Sequence, residues 1–399
     1  MNAQLPLAYP IRSEAAKAPT SGIVDAMSYG RGRPGLIPLW VGEGHLTTPA
    51  FIADALQASL AAGETFYTWQ RGIPELCAAL ATYDERLYGR ASDPERFYVT
   101  MGGMHAMQIA VRLVAGAGDE VIVPTPAWPN FVGALTVAGA TPVCLPMTHS
   151  EAGWTLDLDR LAAAIGPRTR AIVVNTPSNP TGWTASRDDL AAILTVARRH
   201  GLWIIADEIY GRFVHDPALA VNGRAASFKD VMAAEDRVLF VQTFSKNWAM
   251  TGWRMGWIEA PPALGQAIEN LIQYSSSGTA TFVQRAGVAA LEAGENFVAE
   301  GIAAARQGRE IVCRALGAID GVTLAPPTGA FYAFFKVRGA DDSFALARRI
   351  IDEANVGLAP GEAFGPGGEG GLRLCYARKA EDVAEAVRRL APTLRAIAA

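Results

Sequence analysis

The chain has 399 residues, of which 50% are hydrophobic and 19% charged, so it is long enough to bury a large core in two or three domains. Its net charge of -4 argues against nucleic acid or an anionic membrane as a partner, because both favour basic clusters. The 4 cysteines and 5 histidines are scattered without CxxC spacing, and we expect no metal site. No apolar stretch reaches the roughly 18 residues of a transmembrane helix, and the first residues do not resemble a signal peptide. We therefore expect a soluble, cytoplasmic enzyme.

Helical and strand patterns alternate along the chain from about residue 51. Ile52, Leu56 and Leu60 share one helix face, and residues 106, 109, 110 and 113 share another. Apolar runs of strand length lie between and after such helices, at 120–123, 171–174, 202–206, 238–241 and 256–259. This alternation predicts an α/β domain with a mainly parallel sheet, of the seven-stranded type, and helices on both faces. In such sheets ligands bind beyond the carboxyl ends of the strands.

The pattern changes after about residue 290. A strand at 330–337 precedes a helix, a loop rich in Gly and Pro at 360–368 and a strand at 372–376. The last helix places Val383, Val387, Leu390, Leu394 and Ile397 in one apolar seam. We predict a large domain at 50–289 and a smaller α+β domain at 290–399, which the N-terminal segment 1–49 joins.

The strongest chemical signal is the segment SKNWAMTGWRMGW at 245–257, which follows the apolar run at 238–241. A lysine at the end of a buried strand can have its pKa lowered by desolvation, and it then becomes a usable amine nucleophile. Lys246 taken alone would more often be an ordinary solvated lysine. Three further segments favour the chemical interpretation.

Each of these segments also has a structural interpretation. Asp207, in DEIY at 207–210, can hold a pyridine nitrogen protonated, or it can cap a helix. Asn179, in NTPSNPTG at 175–182, can bond a ring oxygen, or it can belong to a Pro/Gly turn. Gly102 and Gly103, in TMGGMHA at 100–106, open a helix whose N-terminal amides can bind a phosphate, although a diglycine alone is weak support.

Taken together and in this order, the segments resemble the fold-type I aminotransferases of the aspartate aminotransferase superfamily (class I/II), which depend on pyridoxal 5′-phosphate (PLP). The resemblance covers nearly the whole chain, from PTSGI at 19–23 and VGEG at 41–44 to GLRLCYA at 371–377. It implies that an amino group passes from an L-amino acid to a 2-oxo acid by a ping-pong mechanism through a Lys246 aldimine. It also implies a homodimer with shared active sites.

The resemblance assigns cofactor contacts to eleven positions. Lys246 is similar to the Schiff-base lysine that also moves the substrate proton, and Asp207 to the partner of the pyridine nitrogen. Tyr210 and Asn179 match the residues on the phenolic oxygen, and Trp128 matches the aromatic residue stacked on the ring. The phosphate contacts are implied for Gly103 and Met104 through their backbone amides, for Thr243, Ser245 and Arg254, and for Tyr67 of the neighbouring subunit.

Other matching positions concern the substrate. Arg373 resembles the clamp for the α-carboxylate, since a guanidinium can grip a carboxylate with two hydrogen bonds. Asn179 also belongs to the implied substrate site. Gly42 and Ile23 resemble the N-terminal residues that close over the substrate.

The sequence departs from the family pattern near the substrate side chain. Residues 44–46 read GHL where the family usually has Pro-Asp-Phe, Met104 occupies a place often taken by a polar or basic residue, and 271–281 contains no arginine. A buried distal carboxylate needs a cation, so we expect neutral or aromatic donors to be preferred over aspartate.

Two alternatives stay open. The first is another PLP chemistry on the same fold, such as that of a β-lyase, decarboxylase or racemase, because the motifs position the cofactor without deciding which bond breaks. The second is a PLP-binding regulator without catalytic activity. Such proteins usually carry a DNA-binding segment before this domain, and residues 1–22 are too few to form one.

Overall fold

The computed structural model describes residues 10–399, so the first nine residues of the predicted N-terminal segment lie outside it. The α-helices of the described chain are α1 Ser13–Ala16, α2 Gly22–Gly30, α3 Ala50–Ala61, α4 Pro74–Tyr88, α5 Gly103–Val114, α6 Pro129–Ala138, α7 Leu158–Ala163, α8 Arg187–His200, α9 Phe244–Asn247, α10 Gly265–Gln273, α11 Thr281–Ala293, α12 Glu295–Gly317, α13 Ser343–Ala354 and α14 Ala380–Ala398. The short 3-10 helices are Pro94–Arg96, Pro217–Leu219, Phe228–Asp230, Thr251–Trp253, Pro262–Leu264 and Gly361–Phe364. Within residues 10–399, no helix combines the length and the apolar character needed to cross a membrane.

The strands form one large sheet, a smaller sheet and three short pairs. In chain order they are β1 Ile37–Pro38, β2 Phe97–Thr100, β3 Glu120–Thr125, β4 Thr141–Pro146, β5 Thr148–Ser150, β6 Gly153–Thr155, β7 Thr169–Asn175, β8 Trp203–Asp207, β9 Ala220–Val221, β10 Arg224–Ala225, β11 Val238–Thr243, β12 Gly256–Glu259, β13 Val322–Leu324, β14 Tyr332–Val337, β15 Val356–Gly357, β16 Ala359–Pro360 and β17 Gly371–Cys375.

The large sheet has seven strands in the order β2-β12-β11-β8-β7-β3-β4. Strand β12 runs antiparallel to both of its neighbours, and the other adjacent pairs are parallel. The predicted α/β fold with a mainly parallel, seven-stranded sheet is therefore confirmed. The edge strands β2 and β4 were not predicted from the sequence. Strand β4 contains Pro142 and Pro146, which are tolerated at an edge but weaken a strand pattern.

Helices cover both faces of this sheet because successive strand residues point to opposite sides. In β11, Leu239 and Val241 pack with α5, α6 and α10, whereas Val238 and Phe240 pack with α7 and α8. Fully buried strands of this kind read as continuous apolar runs. For this reason the five strands predicted for this sheet appear in the sequence as short apolar runs without alternation.

A four-stranded antiparallel sheet, in the order β13-β14-β17-β16, lies in the C-terminal part of the chain. Its core includes residues of α12, α13 and α14, and the predicted seam of the last helix is buried at Val383, Val387, Leu390 and Leu394. The N-terminal segment contributes β1, which pairs in parallel with β15. The domain boundaries at 49/50 and 289/290 stay predictions.

Candidate active site

A cavity of about 500 Å³ lies between the carboxyl ends of the large-sheet strands, the N-terminal segment and the smaller sheet. Its volume falls within the range of ligand pockets for small molecules. All the residues predicted to bind cofactor or substrate line this cavity except Tyr67, namely Ile23, Gly42, Gly103, Met104, Trp128, Asn179, Asp207, Tyr210, Thr243, Ser245, Lys246, Arg254 and Arg373.

Lys246 reaches the cavity from α9, which begins directly after β11. The Thr243 hydroxyl caps this short helix by accepting from the amide of Ser245 (3.2 Å). The Lys246 Nζ donates a hydrogen bond to the backbone carbonyl of Gly42 (2.8 Å). Burial lowers the pKa of the Lys246 amine to about 8, and the positive charge of Arg373 acts in the same direction. Much of this amine is therefore neutral, and nucleophilic, at a pH where an ordinary lysine is protonated.

Asp207 is the last residue of β8 and is buried at the floor of the cavity. Its carboxylate accepts a hydrogen bond from the amide of Ile209 (3.3 Å), and burial raises its pKa to about 7. Asn175, at the end of the neighbouring strand β7, donates from its side chain to the Asp207 carbonyl (3.0 Å). A cationic ligand next to Asp207 would stabilise the carboxylate form, as a protonated pyridine nitrogen does.

Arg373 lies on β17 and is only 2% exposed. One guanidinium nitrogen donates to Asn179 Oδ1 (2.9 Å) and another to the carbonyl of Trp40, while Nε is buried without a hydrogen-bond partner among residues 10–399. Both of these partners are neutral. A buried guanidinium with a free donor and neutral partners calls for an anion such as a carboxylate.

Asn179 is held between this arginine and the large sheet. Its backbone amide donates to Asn175 Oδ1 (2.8 Å), and its side-chain oxygen accepts from Arg373. The NH2 group of Asn179 remains as a donor for a ligand in the cavity.

The opposite end of the cavity has the features of a phosphate site. Helix α5 begins at Gly103, and a Cβ atom on the preceding Gly102 would lie 2.6 Å from a guanidinium nitrogen of Arg254. Arg254 donates to the carbonyl of Thr251 (2.7 Å). The Thr243 hydroxyl donates to the hydroxyl of Ser245 (2.9 Å). Helix amides, hydroxyls and a guanidinium at one point form a site for a dianion.

The remaining wall of the cavity is aromatic and apolar. Trp128 precedes α6, and its ring meets Phe131 edge-on with 5.4 Å between centroids. Met104 Sδ accepts a hydrogen bond from Asn130 Nδ2 (3.4 Å), so the Met104 side chain faces this wall. The parts of the cavity thus fit PLP, with an amine, a buried carboxylate, a phosphate site and an aromatic surface.

The profile of the family described as aminotransferase class I and II matches residues 38–390. The chain belongs to this family. It is 33% identical to an aspartate aminotransferase of Pyrococcus horikoshii over 362 residues, 90% of each chain, and 34% identical to an arginine–pyruvate transaminase of Pseudomonas aeruginosa over 357 residues, 89% of each chain. The solved structure of an aromatic aminotransferase from Pyrococcus horikoshii is 31% identical, with a TM-score of 0.85, covering 94% of this chain and 99% of that one.

The protein is a PLP-dependent aminotransferase. The predicted family, fold, cofactor and transamination are thereby confirmed, and the interpretation as another PLP chemistry or as a regulator is not supported. One of these three relatives is named for an acidic amino acid, one for a basic amino acid and one for aromatic amino acids. Family membership therefore does not specify the amino donor. Residues 10–399 contain no cluster of three or more His, Cys, Asp or Glu side chains that could hold a metal ion.

Tyr67 lies apart from the aminotransferase cavity. Its side chain is 98% exposed, and Phe66, Trp69 and Tyr274 are also exposed. The segments around Tyr67 and Tyr274 lie side by side, and a hydrogen bond from Gln70 Nε2 to Gln273 Oε1 (2.5 Å) joins them. The predicted cross-subunit role of Tyr67 stays a prediction.

Two residues with evident contacts in the aminotransferase site were missed in the sequence. Asn175 lies within the NTPSNPTG segment, and its place at a strand end was a signal that could have identified it. Tyr332 lines the cavity from β14, and its hydroxyl is 2.7 Å from that of Tyr210. No local signal marks Tyr332, because it lies in a strand that is buried along almost its whole length.

Proposed function

We propose that Lys246 is the residue that binds PLP covalently, with Asp207 on the pyridine nitrogen and with Tyr210 and Asn179 on the phenolic oxygen. Trp128 stacks on the ring. The phosphate is held by the amides of Gly103 and Met104 and by the side chains of Thr243, Ser245 and Arg254. The observation that carries this proposal is that an amine with a pKa of about 8 and a buried carboxylate face the same cavity.

Bound PLP supplies an electron sink for the negative charge left at Cα when the amino donor loses its Cα proton. Lys246 takes that proton, because its lowered pKa leaves the free amine available as a base. Asp207 keeps the proton on the ring nitrogen, because a carboxylate in this buried position is stabilised by a neighbouring cation.

The substrate α-carboxylate binds Arg373, whose buried guanidinium has neutral partners and a free Nε donor. Asn179 orients this guanidinium, and Gly42 and Ile23 cover the substrate from the N-terminal segment. The 2-oxo acid acceptor carries the same carboxylate group as the donor. One clamp therefore serves both half-reactions, in agreement with a ping-pong order.

Borohydride reduction of the loaded enzyme followed by peptide mapping tests the lysine assignment. The cofactor should be fixed on the peptide that contains Lys246, and Lys246→Ala should carry none. A phosphopyridoxyl label on any other lysine would contradict the proposal. Turnover of the amino donor should also require a 2-oxo acid, which separates transamination from elimination or decarboxylation.

The enzyme is further proposed to be a homodimer in which Tyr67 reaches the cofactor phosphate of the other subunit. Supporting this, Tyr67 is fully exposed next to Phe66, Trp69 and Tyr274, and large exposed apolar patches mark protein–protein contacts. Wild type mixed with a Tyr67→Phe, Lys246→Ala double variant gives hybrids in which the intact lysine meets the altered tyrosine. These sites should bind PLP more weakly, and wild-type affinity there would refute the shared site.

A cytoplasmic location is part of the same proposal. The four cysteines, Cys77, Cys144, Cys313 and Cys375, are free thiols, which agrees with a reducing compartment. Fractionation of the source cells by activity tests this location. Activity confined to a secreted or periplasmic fraction would contradict it.

Neutral or aromatic amino donors should be preferred over aspartate. The wall near the substrate side chain includes Ile23, Met27 and Met104, which offer apolar surface and no charge for a distal carboxylate. Steady-state comparison of aspartate with phenylalanine, leucine and methionine tests this. A kcat/KM for aspartate more than about tenfold above all three, equivalent to about 1.4 kcal/mol, would contradict it.

A further inference from the structure

Tyr332 contacts the cofactor side of the cavity through Tyr210. The two side chains are almost completely buried, their hydroxyl oxygens are 2.7 Å apart, and their rings meet edge-on at 88°. Burial raises the pKa of both phenols, so both hydroxyls keep their protons at neutral pH. One hydroxyl must therefore donate to the other. Tyr210 can donate to a ligand in the cavity only if Tyr332 donates to Tyr210.

Tyr332 also contacts the substrate side of the cavity. The guanidinium of Arg373 lies over its ring, 4.7 Å from the centroid, at a distance typical of cation–π contacts. Its hydroxyl fills the space beside Gly42, where an added Cβ atom would lie 2.1 Å from it. The carbonyl of that same glycine accepts the hydrogen bond from Lys246.

We propose that Tyr332 is a positioning residue with two separable effects, one on Tyr210 through its hydroxyl and one on Arg373 through its ring. The inference rests on the proposed roles of Tyr210 and Arg373 and adds a residue for which no role was derived from the sequence. It assigns the direction of the hydrogen bond, from Tyr332 to Tyr210 and from Tyr210 to the phenolic oxygen of the cofactor.

The hydroxyl effect has a predictable sign. A tyrosine that accepts a hydrogen bond becomes a better donor, since hydrogen bonds in a chain polarise one another. A stronger donor stabilises the deprotonated phenolic oxygen of the cofactor. Loss of the Tyr332 hydroxyl should therefore raise the pH at which the bound cofactor loses its proton.

Tyr332→Phe and Tyr332→Leu separate the two effects. The phenylalanine variant keeps the ring, so the pH midpoint of the absorption change in the substrate-free, loaded enzyme should rise by roughly 0.3 unit, while KM for amino acids stays unchanged. The leucine variant also removes the ring beneath Arg373. Its KM should rise roughly three- to tenfold for every amino acid.

The Tyr210→Phe background tests whether Tyr332 acts through Tyr210. Tyr210→Phe alone should raise the pH midpoint, and adding Tyr332→Phe should then shift it no further. If Tyr210→Phe leaves the midpoint unchanged, the proposed role of Tyr210 fails. Two other outcomes would overturn the inference about Tyr332. In the first, Tyr210→Phe shifts the pH midpoint but Tyr332→Phe in the wild-type background leaves it unchanged. In the second, Tyr332→Phe still shifts the midpoint when the Tyr210 hydroxyl is absent.

Tyr376→Phe is the matched control. Tyr376 is another fully buried tyrosine of the same part of the chain, and its hydroxyl lies 3.2 Å from His215 Nε2 and 3.4 Å from the Ala330 carbonyl, away from the cavity lining. Its loss should leave the pH midpoint of the bound cofactor at the wild-type value. A shift equal to that of Tyr332→Phe would show that any buried hydroxyl has this effect and would overturn the proposal. The effect of the ring has its own test: an equal KM for Tyr332→Leu and Tyr332→Phe would overturn the proposal that the Tyr332 ring positions Arg373.

Discussion

Two lysines of this enzyme are withdrawn from solvent in very different surroundings. Lys229, in the 3-10 helix Phe228–Asp230, is 8% exposed and forms ion pairs with the buried carboxylates of Asp84 and Glu259. Lys246 donates to a backbone carbonyl, and its pKa is lowered to about 8 by burial. Within residues 10–399, no carboxylate forms an ion pair with Lys246, so desolvation outweighs the attraction of Glu43 and Asp207 and the lowered pKa leaves a reactive amine. A buried lysine that is paired with carboxylates contributes to the stability of the fold.

Replacement of Lys246 by methionine should have the largest effect on activity. The variant loses both the amine that we propose binds PLP and the proposed base for the Cα proton, so kcat should fall by more than about 10⁴-fold. Its melting temperature without cofactor should not fall, because no carboxylate loses an ion-pair partner. A variant that melts well below wild type would show that Lys246 also has a structural role.

Replacement of Lys229 by methionine should give the opposite result. Asp84 would be left as a buried charge without a cation, and Glu259 would keep only its ion pair with Arg96 (3.2 Å), so the free energy of unfolding should fall by about 3–5 kcal/mol. The urea midpoint of the variant against wild type measures this loss. The folded fraction should keep kcat within about twofold, and a specific loss of kcat without loss of stability would remove the contrast between the two lysines.

Replacement of Arg373 by lysine tests a third buried cation. A lysine keeps the charge but cannot form the two-pronged contact with a carboxylate, so KM should rise about tenfold. The factor should be similar for all amino acids, because the α-carboxylate is common to them. Steady-state kinetics with several donors measure it, and loss of one donor class alone would mean that Arg373 binds a side chain.

The pH dependence of cofactor loading should report the lowered pKa of Lys246 directly. A group with a lowered pKa is neutral above that value, so the rate of covalent PLP attachment should rise up to about pH 8 and then level off. An amine with an ordinary lysine pKa would continue to gain rate well above pH 9. Absorption-monitored loading of the cofactor-free enzyme measures this profile, with Lys246→Met as the blank.

The site residues that were predictable from the sequence are those with a local signal. Asp207 and Lys246 follow apolar runs that could be identified as buried strands, and Gly103 opens a helix. Asn179 was indicated by its Pro/Gly segment, and the family resemblance added Arg373. The two residues meet only in three dimensions, across 194 positions of the chain. Tyr332 was missed because its importance depends on contacts with Tyr210 and Gly42, and neither contact leaves a pattern in the surrounding sequence.

The fold was predictable to a similar extent and for the same reason. Short continuous apolar runs identified the central strands, and the seam from Val383 to Leu394 identified the last helix. The edge strand β4 was missed because an edge position accepts prolines that a central strand would exclude. The pairing of β1 with β15 involves residues more than 300 positions apart in a stretch of only two residues each, which no periodicity can indicate.

The antiparallel strand β12 has a consequence for how this enzyme tolerates insertions and deletions. Thr243 at the end of β11 is paired with Gly256 at the start of β12, so the connection between them leaves and returns to the same end of the sheet. Lys246 and Arg254 both lie on that connection. A residue added or removed at 251–253, beyond the buried side chains of Trp248 and Met250, would displace the amine and the guanidinium relative to each other while the sheet on both sides stayed intact. Such a change should give a stably folded protein with a disordered cofactor site, whereas changes of length in the exposed turn at 151–152, between β5 and β6, should leave loading unaffected.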